Sequence, residues 1–330
     1  MSPQSAPITD NGLIWAYLLD RRGGGRRVGW EALATWQPAQ GLLWTHFDIS
    51  QPGPEGWLEE RSGLEPPIAA ALLAEDTRPR SAPSRNGLLV ILRGVNLNPG
   101  AEPDDMVSVR VWLERDRIIT ARRRLLQANG NIRAALDTGD GPVSSGDFLC
   151  MLVEQLVDRI GEAVADLDAQ IDGVEENASA GNIMELRGHL AELRRQTAHL
   201  RRFLAPQRDA LERLVRQPDP ILSEQDNLAL REQADRVQRF IEDLDLIRER
   251  GLVSQEEFLG RMAYQQGQRI FVLSVAAAIF LPLTFLTGLM GMNVGGIPGA
   301  DTVFGFVGTS ALLIGVGVAM AWWFRRRNWL

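Results

Sequence analysis

An unbroken apolar run from Ile270 to Leu289, without a single charge, constrains this chain more than any other feature. At the helical rise it is about 30 Å long, the thickness of a bilayer's hydrocarbon core. A helix buried in a soluble core would be shorter and would show a polar face every third or fourth residue. A second uncharged run, Val303 to Trp323, ends in Trp322, Trp323 and Phe324, followed by Arg325, Arg326 and Arg327. Aromatic residues followed by a basic cluster are how a spanning helix meets the cytoplasmic face. Two membrane helices are therefore expected, 270–289 and 303–323, with a basic tail over 324–330. Arg261 and Arg269 precede the first run, while the connector 290–302 has neither Lys nor Arg. By the positive-inside rule both termini are cytoplasmic and the connector faces outward.

The residues ahead of the spans suffice for a soluble domain with its own core. Acidic residues outnumber basic ones, 42 to 35, so there is no general footprint for nucleic acid. The start, MSPQSAPITDNG, has neither the basic opening nor the apolar run of a secretory signal, and the soluble part is expected in the cytoplasm. The one cysteine, Cys150, cannot form an intrachain disulfide, in keeping with a reducing compartment.

Up to about residue 144 the pattern predicts a mixed α/β domain. Leu13–Leu19, Leu42–Phe47, Leu88–Leu92, Met106–Leu113 and Ile118–Thr120 read as strands. Trp57–Ser62 and Pro67–Ala74 read as short helices. Arg21–Arg27 (RRGGGRR) reads as a glycine hairpin with solvated arginines rather than a phosphate loop, since no Lys-Ser/Thr follows. From 145 to 222 the apolar spacing predicts two antiparallel helices, with Ser145 as the first N-cap. From 223 to 290 no proline intervenes before Pro282. A single helix is expected there, on the order of 100 Å long, a stalk running into the first span. Gly251, Gly260 and Gly267 count against an uninterrupted rod. The end of the first of the paired helices is acidic (Glu162, Asp166, Asp168, Asp172, Glu175, Glu176), and the second carries Arg194, Arg195, Arg201 and Arg202. Salt bridges across that hairpin are the expectation, and an acidic surface that gathers cations is the sharper alternative.

Catalysis finds little support. His46, His189 and His199 are scattered, Cys150 has no partner nearby in sequence, and no Walker loop, nucleophile elbow or kinase set is present. No cofactor is implied. In the first span, Ser274, Ala277, Leu281, Thr284 and Gly288 recur three or four apart and so share one helix face. Such a stripe can line a pore or allow close helix packing. Two spans cannot enclose a water path, so a conducting chain requires a ring of copies.

Gly291-Met292-Asn293 directly follows this proline-bearing span, and the chain ends soon after the second. That arrangement resembles the CorA superfamily of divalent-cation transporters. FLPLTFLTGLMGMNVGGIPG (Phe280–Gly299), LLWTHFDISQPGPEGWL (Leu42–Leu58) and LRGVNLNPGAEPDDMVSVRVWL (Leu92–Leu113) look most like its ZntB branch of zinc transporters. The resemblance spans essentially the whole chain. It implies an α+β membrane protein of the bacterial inner membrane, a homopentamer with a helical cytoplasmic funnel and a pore lined by the first span. Carried over residue by residue, Gly291, Met292 and Asn293 form the selectivity motif, with Asn293 meeting the metal through its hydration water. Thr284 would be a polar constriction, and Leu281, Leu273 and Ile270 apolar narrowings, with Ala277 and Ser274 on the same lining. The branch implies Zn2+ uptake coupled to protons, with Mg2+, Co2+, Ni2+ and Cd2+ as related cargo. The outer loop departs from magnesium-type members: Val294 to Ala300 is uncharged and Asp301 is the first acid available to a metal. The competing readings are a CorA-like Mg2+/Co2+ channel gated by cytoplasmic metal, and a tethered helical scaffold that conducts nothing.

Overall fold

The computed structural model describes residues 12–102, 104–177, 183–216, 219–292 and 303–327. Two compact units divide the chain, Met1–Gln255 and Glu256–Leu330. The first is built on a seven-stranded mixed sheet of β1 (Leu13–Leu19), β2 (Gly25–Val28), β3 (Leu42–Asp48), β4 (Arg80–Ser84), β5 (Gly87–Val95), β6 (Met106–Leu113) and β7 (Arg117–Arg122). Its spatial order is β2-β1-β3-β7-β6-β5-β4. Strands β3 and β7 are parallel, Leu43 opposite Arg117 and Asp48 opposite Arg122. The other neighbours are antiparallel.

The central strands read as nearly continuous apolar runs because both faces of the sheet are covered. On one face lie α1 (Trp30–Thr35), α2 (Gly53–Glu60) and α3 (Pro66–Leu73). Leu58, Ile68 and Leu72 there share a buried cluster with Phe47, Ile91, Trp112 and Ile119 of the sheet. Against the other face lie α4 (Gln127–Thr138), α5 (Ser145–Glu176) and α6 (Ile183–Arg216). The Trp44 ring stands 5.0 Å from Phe148 of α5 and 5.8 Å from Trp15. The Ser81 hydroxyl donates to the Ala210 carbonyl of α6 at 2.8 Å. The Arg93 backbone N–H donates to Gln207 Oε1 at 2.7 Å. These bonds tie β4 and β5 to α6.

Four elements escape the sequence pattern: β2, β4, α1 and α4. β2 and β4 are the sheet edges, where exposed arginines and Pro83 replace the apolar alternation that marks a buried strand. The RRGGGRR segment is the β1–β2 hairpin, with Leu19 opposite Gly25. Asp20 Oδ1 accepts from the N–H groups of Arg22 and Gly24 across its turn. Gly23 has φ +96°, and a Cβ there would sit 1.9 Å from the Gly139 carbonyl oxygen, so only glycine lets the turn dock.

The N-cap of α5 is Ser144, one residue before the expected Ser145. Its Oγ accepts from the Asp147 N–H at 3.0 Å, while the Ser145 hydroxyl donates to the Glu114 carbonyl at 2.6 Å. Both hydroxyls suit a cap, and the chain path decides between them. Beyond α6, α7 (Glu224–Met290) is one helix of 67 residues, continuous through Gly251, Gly260 and Gly267. At Gly251 the missing side chain has a use, since a Cβ would lie 3.2 Å from Leu190 Cδ1 of α6. Tight helix packing there offsets a propensity cost of up to ~1 kcal/mol.

The ion pairs join different helices from those expected. Among the described residues, Asp158, Asp168, Asp172 and Glu175 of α5 reach α7 rather than the arginines of α6. Arg250 of α7 donates to Asp168 at 3.0 Å, Asp172 at 2.5 Å and Glu175 at 2.6 Å. Arg236 pairs with Asp158 at 2.7 Å. On α6, Arg201 pairs with Asp245 of α7 at 2.7 Å, and Arg195 turns to Glu192 and Asp104. The cause is chain geometry: α7 brings a third charged face alongside the hairpin, and nothing local in sequence sets which face is nearest.

Candidate functional site

The second unit holds the end of α7 and α8 (Val303–Arg326). Both helices are long and apolar enough to cross a membrane and are almost wholly uncovered by protein. Phe304 is 89 % exposed and Leu273 70 %, far more apolar surface than water tolerates on a folded protein. At the end of α8, aromatic and basic residues are paired. The Arg326 guanidinium lies 5.2 Å from the Trp322 ring and that of Arg327 5.7 Å from Trp323, an arrangement suited to a membrane–water boundary.

The two helices use small residues to meet. A Cβ added at Gly317 of α8 would lie 3.6 Å from Leu283 Cδ1 of α7. Val275 is buried, and Ile279, Leu283 and Leu286 are partly covered. Counting about 100° per residue, these four fall on one arc of α7. Ile270, Leu273, Ser274, Ala277, Leu281, Thr284, Gly288 and Gly291 fall on the opposite arc, and all eight are exposed. The predicted stripe is therefore intact on one face, turned away from the one neighbouring helix of its own unit.

The polar groups of that stripe face a specific constraint. Pro282 has no N–H, so the Ala278 carbonyl loses its partner within the helix. Thr284 Oγ1 donates to the Phe280 carbonyl at 2.8 Å, and Thr287 Oγ1 donates to the Thr284 carbonyl at 2.9 Å. With its proton committed to the backbone, the Thr284 oxygen keeps its lone pairs for outside donors. At the end of α7, the Gly291 N–H donates to the Thr287 carbonyl at 2.9 Å. Met292 follows, 47 % exposed. Asn293 and Asp301, and with them residues 293–302 of the connector, lie outside the described residues.

The histidines and the acidic surface of α5 lie outside this stripe. His46 is buried among Trp15, Trp44 and Thr120, with Nδ1 2.9 Å from Thr120 Oγ1. Burial and then the nearby Arg122 charge hold its pKa well below the usual histidine range. His199 Nδ1 lies 2.7 Å from Asp104 Oδ2. His189 borders a surface hollow between α5 and α6. No group of three His, Cys, Asp or Glu is placed to hold a metal among the described residues. Of the acidic α5 residues, Glu162 pairs with Arg159 of its own helix, and Asp168, Asp172 and Glu175 pair with Arg250 of α7, so that surface is salt-bridged, but not across the α5–α6 hairpin as expected.

Arg110, which sequence reasoning passed over, is fully buried in β6. Its Nη2 donates to the Ala74 carbonyl just beyond α3 at 2.8 Å, satisfying the end of that helix. Burial, with Arg123 and Arg93 nearby, brings its pKa down to about 10, still charged at neutral pH. Its signal in sequence was an arginine inside an otherwise apolar strand.

Cys150 packs against the start of α7, its Sγ 3.6 Å from the Asp226 carbonyl. Burial first, then the Asp226 carboxylate, push the thiol up to about 12. At mildly alkaline pH the group stays protonated and a poor nucleophile. Thiol-disulfide reagents should therefore label the folded chain far more slowly than the chain in denaturant, and fast labelling of folded protein would refute this. Because the folded pKa is the raised one, the associated stability is present below the ordinary thiol value. It is lost as the pH rises from there towards about 12.

Comparison with known proteins follows the same lines. The sequence pattern of the family described as "CorA-like Mg2+ transporter protein" matches residues 39–326. The "Divalent cation transporter CmaX" of Pseudomonas aeruginosa is 42% identical over 326 residues, covering 97% of this chain and 98% of that one. The "Zinc transport protein ZntB" of Pectobacterium atrosepticum is 36% identical over 323 residues, with 98% of each chain covered. Among solved structures, full-length CmaX superposes with a TM-score of 0.84 at 40% identity, over 98% of this chain and 100% of the other. The CorA magnesium transporter of Methanocaldococcus jannaschii gives 0.81 at 19% identity over the same shares, a likeness of fold.

Proposed function

Because this chain belongs to the CorA-like Mg2+ transporter family, we propose that it carries divalent cations, Zn2+ foremost, across the bacterial inner membrane as a homopentamer. One α7 from each copy lines the pore. The observation that carries this reading is the exposed stripe of small and weakly polar residues from Ser274 to Gly288, opposite the arc that meets α8. A monomer leaves that stripe facing lipid, where Thr284 and Ser274 gain nothing. A closed ring with one copy of the stripe per subunit turns it inward around an axis. No ionisable residue lies in either span, so coupled protons would travel with water or through groups outside the membrane rather than along a buried carboxylate relay.

Asn293 is the proposed entry ring. Neutral amide oxygens accept hydrogen bonds from a hydrated metal without stripping its water, and divalent ions release water reluctantly, Mg2+ most of all. Zn2+ is favoured by the 36% identity to ZntB over nearly the whole chain and by the uncharged run 294–300 after the motif. The Gly-Met-Asn motif and the family description favour Mg2+ as the second reading. Proteoliposome uptake of Zn2+ and Mg2+ in parallel, with and without an imposed proton gradient, separates the two. Zn2+ flux that grows with the gradient and is lost in Asn293→Ala is expected. Mg2+ flux indifferent to the gradient would replace the zinc reading with a CorA-type channel. No flux of either ion from a verified pentamer would leave a non-conducting scaffold.

A further inference from the structure

A cavity of about 360 Å³ lies within the first unit, where the β5–β6 connection meets α5 and α6. Val95, Leu167 and Leu200 give it an apolar floor, while Asp104, Glu162 and Asp166 set three carboxylates against one guanidinium, that of Arg159. Its volume suits a small organic molecule.

Two of its lining residues carry buried oxygens without donors. Asp104 is 1 % exposed. Its Oδ2 accepts from Arg195 Nη1 at 3.1 Å and lies 2.7 Å from His199 Nδ1, whereas Oδ1 has no partner among the described residues. Gln196 is 6 % exposed, and its Nε2 donates to Glu192 Oε1 at 2.9 Å. An ionised carboxylate can only accept, which fixes the orientation of that amide. Gln196 Oε1 is then left without a donor among the described residues. Leaving such acceptors unmade is costly, more so for a charged group. Both call for a ligand that donates, and the Asp166 carboxylate on the same lining favours one that carries positive charge.

A bare metal ion suits the site poorly. No three metal-binding side chains converge there among the described residues, and the floor offers carbon. An ammonium on a methylene chain suits it better, because its head only donates and its stem is apolar. At the rim, Glu162 is already engaged by Arg159 at 2.7 Å, while Asp166, which also lines the cavity, has no ion pair among the described residues. We infer that this cavity binds an aliphatic diammonium ion. One head sits on Asp104 Oδ1 and Gln196 Oε1, the stem on Leu167 and Leu200, and the second head at Asp166.

The test is calorimetric titration of the full chain in detergent with 1,5-diaminopentane near neutral pH. One saturable event per chain is expected. Gln196→Leu, which keeps the size and removes the acceptor, should weaken it about tenfold. Asp166→Asn should erase the preference for the diamine over 1-aminopentane, and Ala163→Trp, which fills the cavity, should abolish binding. Asp104→Asn removes the carboxylate that Arg195 and His199 share and can unfold the region, so Gln196→Leu with an unchanged melting midpoint is the decisive variant. No saturable heat from the parent chain would overturn the proposal, leaving water as the donor. So would equal affinity in Gln196→Leu and Ala163→Trp. Saturation by Zn2+ or Mg2+ that Ala163→Trp removes, with no response to the diamine, would reassign the site to a metal.

Discussion

Thr284→Trp is expected to bring Zn2+ flux in reconstituted vesicles down to the leak of protein-free ones, with the oligomer intact. Thr284 lies on the exposed arc of α7, on the same face as Leu281 and Gly288. In a ring, five indoles at this level would meet around the axis and fill a path that five threonines leave open. They would also remove the hydroxyl whose proton is held by the Phe280 carbonyl, and with it the acceptor offered to a hydrated ion. Val318→Trp is the matched control. Val318 is 65 % exposed and lies on α8 well away from the arc that contains Gly317, so an indole there reaches lipid and flux should stay near that of the parent. Thr284→Ser keeps the back-bonded hydroxyl and should also conduct. Wild-type flux from a verified Thr284→Trp pentamer would move the pore off this face of α7. Loss of flux in Val318→Trp as well would mean that bulk alone disrupts the spans.

The largest stability effect is expected at Trp44. It is fully buried in β3, its ring 5.0 Å from Phe148, 5.8 Å from Trp15 and 6.3 Å from Tyr17. Its Nε1 donates to Thr120 Oγ1 at 3.0 Å, and that hydroxyl donates in turn to the Thr45 carbonyl at 2.9 Å. Trp44→Ala opens a cavity where the sheet meets α5 and should cost about 3–5 kcal/mol. For a unit of this size that lowers the melting midpoint by on the order of 10 °C. Scanning calorimetry of the purified chain measures the fall, and hydrogen exchange shows whether β1, β3 and α5 lose protection together. Trp44→Phe keeps most of the ring and should lose much less. A fall of under about 1 kcal/mol for the alanine variant would mean the cluster relaxes to fill the space.

The parts of this chain that were legible in its sequence are those where one physical signal acts locally. Twenty uncharged residues, Ile270 to Leu289, have few alternatives to a spanning helix. The central strands β1, β3, β5, β6 and β7 showed themselves because burial on both faces leaves an apolar run. The edge strands did not, because an edge is recognised by what is missing beside it. Ser144 and Ser145 could each cap α5, and the chain path chose the first. The α5 carboxylates were visible as charges, but their partner, Arg250, lies 75 or more residues away in sequence.

The periodicity of the first span, taken with the helical repeat, places Ser274, Ala277, Leu281, Thr284 and Gly288 on one face. It leaves open whether that face packs or stays free. Tertiary structure decided it: α8 takes the arc of Val275, Ile279 and Leu283, with Gly317 allowing the approach, and so the polar stripe is left uncovered. The same division holds in the soluble unit. Composition along the chain determines which segments are apolar enough to be buried, because transfer out of water depends on the side chain itself. Which buried groups become neighbours, Arg110 with the end of α3 or Asp104 with Gln196 around one cavity, depends on distances set when separate elements close on each other, and no local pattern encodes those.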